Sequence, residues 1–250
     1  MGRLSGKRAL VAGAGGKLGG DLARAFAREG ADLVLTTRTA AKLAPLVSDV
    51  QALGVRAVAV AADFTVREEV VRLAEAAWDA FGGLDVALLS SQPGEPGMGS
   101  LLETRDADWE EQQAAIVSGP FRLLRALAPK WIAAGTGASV ITLVSSTGEE
   151  PIPGYGAYGL AKGGLWLLSR YMAAEWGQYG IRVNSISPGL IATGGSGAAD
   201  ADAPPAAMVA RTALRRLGRN SEVVGAAVYL ASDEASFTTG QCIRVNGGRV

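Results

Sequence analysis

The run Arg8-Ala-Leu-Val-Ala12 is short and apolar, and it ends directly in Gly13-Ala-Gly-Gly-Lys-Leu-Gly-Gly20. A helical pattern follows, with Leu22 and Phe26 one turn apart and Gly30 as its stop. Strand, glycine turn and helix in this order are the context in which such glycine spacing carries meaning. The glycines let a backbone approach a pyrophosphate, and the helix N-terminus behind them favours its charge. A tight strand-to-helix turn with no ligand would use the same residues, so the next strand matters.

That strand is Asp32-Leu-Val-Leu-Thr36, and it ends in Thr37-Arg38. In a dinucleotide fold an acidic residue here holds a ribose 2′-hydroxyl, whereas an Arg accommodates a 2′-phosphate. Thr37 carries no charge to repel a phosphate, and Arg38 presents a planar fork to bind one. The pattern favours NADP over NAD; a solvated loop arginine is the alternative. A helix is predicted over 40–53 and a third strand over 55–60, followed by Asp63-Phe-Thr65. Asp63 either caps the next helix, 66–81, or accepts a hydrogen bond from an adenine amino group. A fourth strand, 85–89, runs into the turn-forming stretch Ser90–Gly97. The helical stretch 106–134 is expected to break near Gly119-Pro120, because Pro lacks the donor.

The apolar run Ser139–Val144 is the next strand, 181–186 the sixth, and Cys242–Val245 the last, with a helix near 221–230. Strands and helices alternate at crossover spacing, which predicts an α/β fold built on a doubly wound parallel sheet. At 250 residues and 48% hydrophobic content the chain can bury a full core, and one domain over 1–250 is the economical reading. The small, polar stretch Gly194–Pro205 is expected to belong to a mobile loop over a site, reaching to about residue 216.

Composition excludes several functions. Basic and acidic residues balance at 24 each without a basic block, so nucleic acid and membrane surfaces are not expected partners. No apolar run reaches the roughly 18 residues of a membrane span, and no signal pattern opens the sequence. With no histidine, Ser-His-Asp and Cys-His catalysis and His-ligated metal sites are excluded. The one cysteine, Cys242, is expected to be a small core residue and suits a reducing, cytoplasmic setting.

Reaction chemistry is concentrated between Ser145 and Lys162. Tyr158 and Lys162 lie four apart and would share a helix face, and Ser145 lies thirteen residues before Tyr158 at a strand end. A hydroxyl, a phenol and an ammonium can then meet at one point. Ser145 would hold a carbonyl or alcohol oxygen, Tyr158 would exchange its proton, and the Lys162 cation would lower the phenol pKa. Taken alone, Tyr-x-x-x-Lys also fits a half-buried ring beside a solvated ammonium.

The joint pattern resembles the short-chain dehydrogenase/reductase family over essentially the whole chain. It consists of the glycine turn at Gly13–Gly19, Asp63, Ser145, Tyr158-x-x-x-Lys162, Asn184, Pro188-Gly189, Thr193 and Val245-Asn-Gly-Gly248. The resemblance implies a Rossmann-like sheet of about seven strands with helices on both faces, and a homotetramer or a dimer. It implies Ser145, Tyr158 and Lys162 as the catalytic group, with Lys162 also holding the nicotinamide ribose. Cofactor contacts are implied for Gly13, Gly16, Lys17, Leu18, Gly19, Thr37, Arg38, Asp63, Phe64, Ser90, Tyr158, Lys162, Pro188, Gly189, Ile191 and Thr193. Asp63 would meet the adenine, and Pro188 to Thr193 would frame the nicotinamide.

Three departures stand out. Ala12 and Lys17 replace a Thr and a Gly of the family's turn, and Lys17 is either a cation near the phosphates or a solvated side chain. Leu89-Ser-Ser-Gln92 stands where Asn-Asn-Ala-Gly is expected; Ser90 or Ser91 would supply part of its hydrogen bonding. Ile116 aligns with a fourth catalytic residue, an Asn, which predicts a weakened proton relay. The expected activity is hydride transfer between NADP and a small carbonyl or alcohol substrate, with a 3-oxoacyl thioester as one candidate. A catalytically weak dinucleotide-binding sensor or assembly subunit, and a dehydratase or epimerase of the same fold, are the alternatives.

Overall fold

The computed structural model describes residues 2–90, 92–93, 99–192 and 206–249. Seven strands form one parallel sheet: β1 (Arg8–Ala12), β2 (Asp32–Thr37), β3 (Ala57–Ala61), β4 (Val86–Leu89), β5 (Ala138–Leu143), β6 (Ile181–Pro188) and β9 (Cys242–Val245). A separate two-residue pair joins β7 (Ile191–Ala192) to β8 (Gly218–Arg219). The sheet order is β3-β2-β1-β4-β5-β6-β9. The chain therefore winds outward from β1 to β3 and then restarts beside β1 with β4. The reversal between β1 and β4 opens a crevice at the carboxyl ends of the strands, where ligands of such sheets bind.

Eight helices are described: α1 (Lys17–Arg28), α2 (Ala44–Gln51), α3 (Arg67–Asp79), α4 (Asp106–Gln113), α5 (Gly119–Ala134), α6 (Gly156–Trp176), α7 (Ala206–Ala210) and α8 (Asn220–Ala231). The central strands are apolar throughout because both sheet faces are covered. Along β1, Ala9 and Val11 face a core completed by Leu22 and Phe26 of α1, Leu46 of α2 and Val223 and Val228 of α8. Leu10 and Ala12 face the opposite core, built from Val70 and Leu73 of α3, Leu123, Leu127 and Trp131 of α5, and Met172 of α6. The buried Trp131 indole donates to the Leu84 carbonyl at 2.6 Å, so its one polar atom is satisfied.

Several local expectations are corrected. The 40–53 segment begins as a 3-10 turn, Ala40–Leu43, and becomes α-helical only at Ala44. β3 starts at Ala57, two residues later than predicted, and α3 ends at Asp79. Asp63 does not cap α3, whose N-cap is Val66 with no side-chain bond. Its Oδ1 instead accepts from the Thr65 amide at 2.8 Å and the Thr65 hydroxyl at 2.7 Å, a local turn that Asp favours. The irregularity before α5 is not a proline break. Pro120 sits in the first turn of α5, where its missing donor is tolerated, and Ala114–Ser118 just ahead is π-helical. Cys242 is half-buried rather than a core residue, and burial pushes its thiol up to about 11.

Candidate active site

At the crevice, β1 turns through Gly13 with φ +77° into α1. A Cβ on Gly19 would lie 2.1 Å from the Gly13 carbonyl oxygen, so only glycine lets α1 pack this closely on the turn. Gly16 caps α1 without a side-chain hydrogen bond, and no acidic residue stands in the helix's first turn. The free amides at this end are suited to an anion.

A cavity of about 680 Å³ runs from this turn to the ends of β5 and β6. Of the residues predicted to meet a cofactor, Gly13, Gly16, Lys17, Leu18, Gly19, Thr37, Arg38, Asp63, Phe64, Ser90, Tyr158, Lys162, Pro188, Gly189 and Ile191 all line it. Thr193 and the stretch 194–205 lie outside the described residues, as does Ser91. The cavity also takes in residues not predicted for it, among them Lys42, Asn220 and Glu111. Lys42 carried a usable signal, since it follows Arg38 by one helical turn's worth of chain. Asn220 did not, because nothing local to it points toward a turn two hundred residues away.

Lys17, Arg38 and Lys42 are all exposed, and their side chains have no hydrogen bond or ion pair with other described residues. Asn220 donates to Asp21 at 2.8 Å, while its own carbonyl oxygen is buried without a partner at the cavity wall. A glycine cradle, an open helix N-terminus and three unpaired cations along one cleft fit a dinucleotide with its phosphates.

At the other end, Ser145 lies two residues beyond β5, and Tyr158 and Lys162 occupy the first turns of α6. α6 is anchored there by its small residues, which bring the helix against the Ser146–Gly148 3-10 turn. Ser145 and Tyr158 line the same end of the cleft, where the Ser145 hydroxyl acts to favour the phenolate of Tyr158. Lys162 is 2% exposed and donates from Nζ to the Leu143 carbonyl at 2.7 Å, with Nζ 5.6 Å from the centre of the Tyr158 ring. The three predicted reacting groups are thus brought together.

Their electrostatics differ from expectation. Burial pushes the Tyr158 phenol above its usual value; the Ser145 hydrogen bond pulls it down, Tyr155 adds to the rise, and the net direction is up. Burial also lowers Lys162 to about 8. The expected lowering of Tyr158 by Lys162 does not appear, because the ammonium is itself desolvated and is directed at Leu143 rather than at the phenol oxygen.

Ile116 lies in the π-helical stretch, fully buried against Val144, Ala161 and Leu165. It offers only backbone groups to this side of the site. Asn184, part of the family pattern, is buried away from the cleft and cross-links the chain: its amide donates to Thr238 at 2.8 Å and its carbonyl accepts from Gln241 at 3.0 Å.

Comparison with known proteins agrees with this arrangement. A family model described as enoyl-(acyl carrier protein) reductase matches residues 13–249. The A-factor type gamma-butyrolactone 1'-reductase (1S-forming) of Streptomyces virginiae is 36% identical, over 99% of this chain and 97% of that protein. Gluconate 5-dehydrogenase of Gluconobacter oxydans is 34% identical, over 98% of this chain and 95% of that protein. A solved 7 alpha-hydroxysteroid dehydrogenase, complexed with NADH and 7-oxo glycochenodeoxycholic acid, superimposes with a TM-score of 0.89 at 32% identity, covering 99% of this chain and 96% of its own. With this fold, this cleft and these relatives, the chain belongs to the short-chain dehydrogenase/reductase family and is an NAD(P)-dependent oxidoreductase.

Proposed function

We propose that the protein uses NADP to transfer hydride to or from a carbonyl or alcohol carbon of a small or medium organic substrate. The observation that carries this reading is the single cleft that joins Ser145, Tyr158 and Lys162 to the cations Lys17, Arg38 and Lys42. When bound, the nicotinamide supplies or accepts the hydride. Lys17, Arg38 and Lys42 would hold the cofactor's phosphates, Asp63 its adenine, and Pro188, Gly189 and Ile191 its nicotinamide. In reduction Ser145 donates a hydrogen bond to the substrate oxygen and Tyr158 gives that oxygen its proton. Lys162 would orient the cofactor's ribose from the first turns of α6.

A keto-lactone, a sugar acid and a steroid all fall within what the relatives' names cover, so the substrate class stays at a carbonyl or its alcohol, a 3-oxoacyl thioester included. The same reading takes the enzyme as a cytoplasmic homo-oligomer, a tetramer or a dimer. Leu160, Leu167 and Tyr171, exposed at 56%, 50% and 61% on one face of α6, suit such an interface.

The test is a titration of the protein with NADPH and NADH, followed by NADPH oxidation against a panel of ketones, keto-acids and 3-oxoacyl thioesters. NADPH binding with turnover that falls by about 10²–10⁴ in Tyr158→Phe is expected. Turnover that survives Tyr158→Phe would refute the assignment of the proton donor, and tighter binding of NADH would refute the choice of NADP.

A further inference from the structure

Thr147 takes no part in the reaction as described, yet it makes the closest contacts to Ser145. Its hydroxyl donates to Ser145 Oγ at 2.9 Å, and its backbone amide donates to the same oxygen at 3.3 Å. A serine hydroxyl has two acceptor sites and one proton. With both acceptor sites taken by Thr147, the only remaining capacity of Ser145 Oγ is to donate. The Tyr158 phenol lines the same cleft as this hydroxyl, which acts to favour its phenolate. We propose that Thr147 is a positioning residue: by filling the acceptor sites of Ser145 it turns the serine's single proton into the cleft, toward Tyr158 in the free enzyme and toward the substrate oxygen once substrate is bound. This rests on the roles of Ser145 and Tyr158 given above.

The turn that carries Thr147 is built to hold it still. Ser145 caps the 3-10 turn Ser146–Gly148, and the Gly148 amide donates to the Ser145 carbonyl at 2.9 Å. α6 lies directly on this turn: a Cβ on Gly159 would be 2.6 Å from the Thr147 carbonyl oxygen. The next hydroxyl, Ser146 Oγ, accepts from Arg249 Nη1 at 3.1 Å, which ties the turn to the chain's far end. The Thr147 backbone is therefore held against the helix that carries Tyr158 and Lys162.

The opposite side of the phenol offers no substitute. Lys162 Nζ is directed at the Leu143 carbonyl, and Ile116 presents a hydrocarbon surface in the adjoining cluster. The titratable groups that face Tyr158 are Lys162, over its ring, and Tyr155, one turn back on the same segment. Neither directs a proton at the phenol oxygen. Ser145 is the donor that stabilises a phenolate here, and its orientation is set by Thr147.

The experiment reads the titration of Tyr158 directly, by carbon NMR of protein labelled at the tyrosine ring Cζ, without substrate or cofactor. Tyr158 is assigned by the signal lost in Tyr158→Phe. Thr147→Val keeps the side chain's shape and removes its hydroxyl donor. The Tyr158 midpoint is expected to rise by about half a unit, as a hydrogen bond of ordinary strength acting at one remove would give. Thr147→Ser should restore it. Ser145→Ala should raise the midpoint itself, and adding Thr147→Val to it should change nothing further, since Thr147 acts only through Ser145. An unchanged midpoint in Thr147→Val, or an equal rise with Ser145 already removed, would overturn the proposal. Should Thr147→Val fail to fold, Thr147→Ala is read in the same way. On a substrate found in the carbonyl panel, Thr147→Val should lower kcat about 10-fold with KM unchanged. A wild-type protein that turns over no carbonyl refutes the substrate assignment, while the tyrosine titration still decides the role of Thr147.

Discussion

Replacing Arg38 by Ala removes the guanidinium assigned to the 2′-phosphate and leaves the glycine turn untouched. NADPH and NADH differ only at that phosphate, so comparing the two cofactors in wild type and variant cancels everything else they share. Arg38 is exposed at the cleft rim, and its side chain has no hydrogen bond or ion pair among the described residues to be lost with it. A charge-assisted hydrogen bond contributes about 1.5–3 kcal/mol, which converts to a roughly 10- to 150-fold rise in Kd for NADPH. The low end of that range is expected, because the site is open to water and Lys17 and Lys42 still attract the phosphate. Kd for NADH should stay where it was. Fluorescence titration with each cofactor, repeated at low and high salt, measures both the ratio and its screening. The NADPH advantage should shrink as salt rises. A loss of the same size for both cofactors would refute the reasoning, since Arg38 would then be acting on the turn or the adenine and not on the phosphate.

Other substitutions test the electrostatics and packing. Asp85 is pushed up by burial, but hydrogen bonds from the Arg8 amide, Nε and Nη2, each 2.8 Å, outweigh this and hold its carboxyl below the usual range. Asp85→Asn should therefore cost on the order of 2 kcal/mol at neutral pH, and chemical denaturation should show that cost fading as pH falls through the depressed folded value. A cost independent of pH would show that the ion pair is not its source. Lys162, lowered to about 8 by burial, binds fewer protons in the folded state than its ordinary value allows. Folding stability should accordingly gain with rising pH from about 8 to about 10, and Lys162→Met should abolish that gain; a gain that persists would place the titration elsewhere. Ile116→Asn puts a side-chain hydrogen-bonding group into the cluster against which Tyr158 packs and should raise kcat, by less than the roughly 10² of a direct acid/base group. It also buries an amide among Val144, Ala161 and Leu165, so Tm should fall. Activity that falls or stays level would count against a relay limited at this position.

Much of the fold was legible because the signals that encode it are local. The run from Arg8 to Gly20 specifies strand, turn and helix within one turn's reach of the chain, and the structure places each where expected. The four-residue spacing of Tyr158 and Lys162 needed only helical geometry to bring them to one face, and α6 supplies it. Boundaries were less legible where tertiary contacts compete with propensity. Asp63 reads equally well as a helix cap, and only the bond to Thr65 shows that a turn claims it. Pro120 drew attention as a break, whereas the departure lies in the π-helical residues before it.

Site residues divide along the same line. Gly13, Arg38, Ser145, Tyr158 and Lys162 follow from motif and order in the chain. The convergence of Lys42 and Asn220 on the cleft, and of Arg249 on the Ser146 hydroxyl, joins residues far apart in sequence, and no periodicity encodes it.

By itself, then, the sequence determined the alternation of elements, the glycine turn and the candidates for the reacting groups, since each depends on neighbours a few residues away. Tertiary structure decided how those groups behave. Burial raises Tyr158 and lowers Lys162, contrary to what a cation four residues from a phenol suggests, because desolvation depends on every atom packed around a charge. The direction of the Ser145 proton was likewise undetermined until Thr147 was seen to occupy both acceptor sites of its oxygen, a constraint set by the conformation of the turn that joins them.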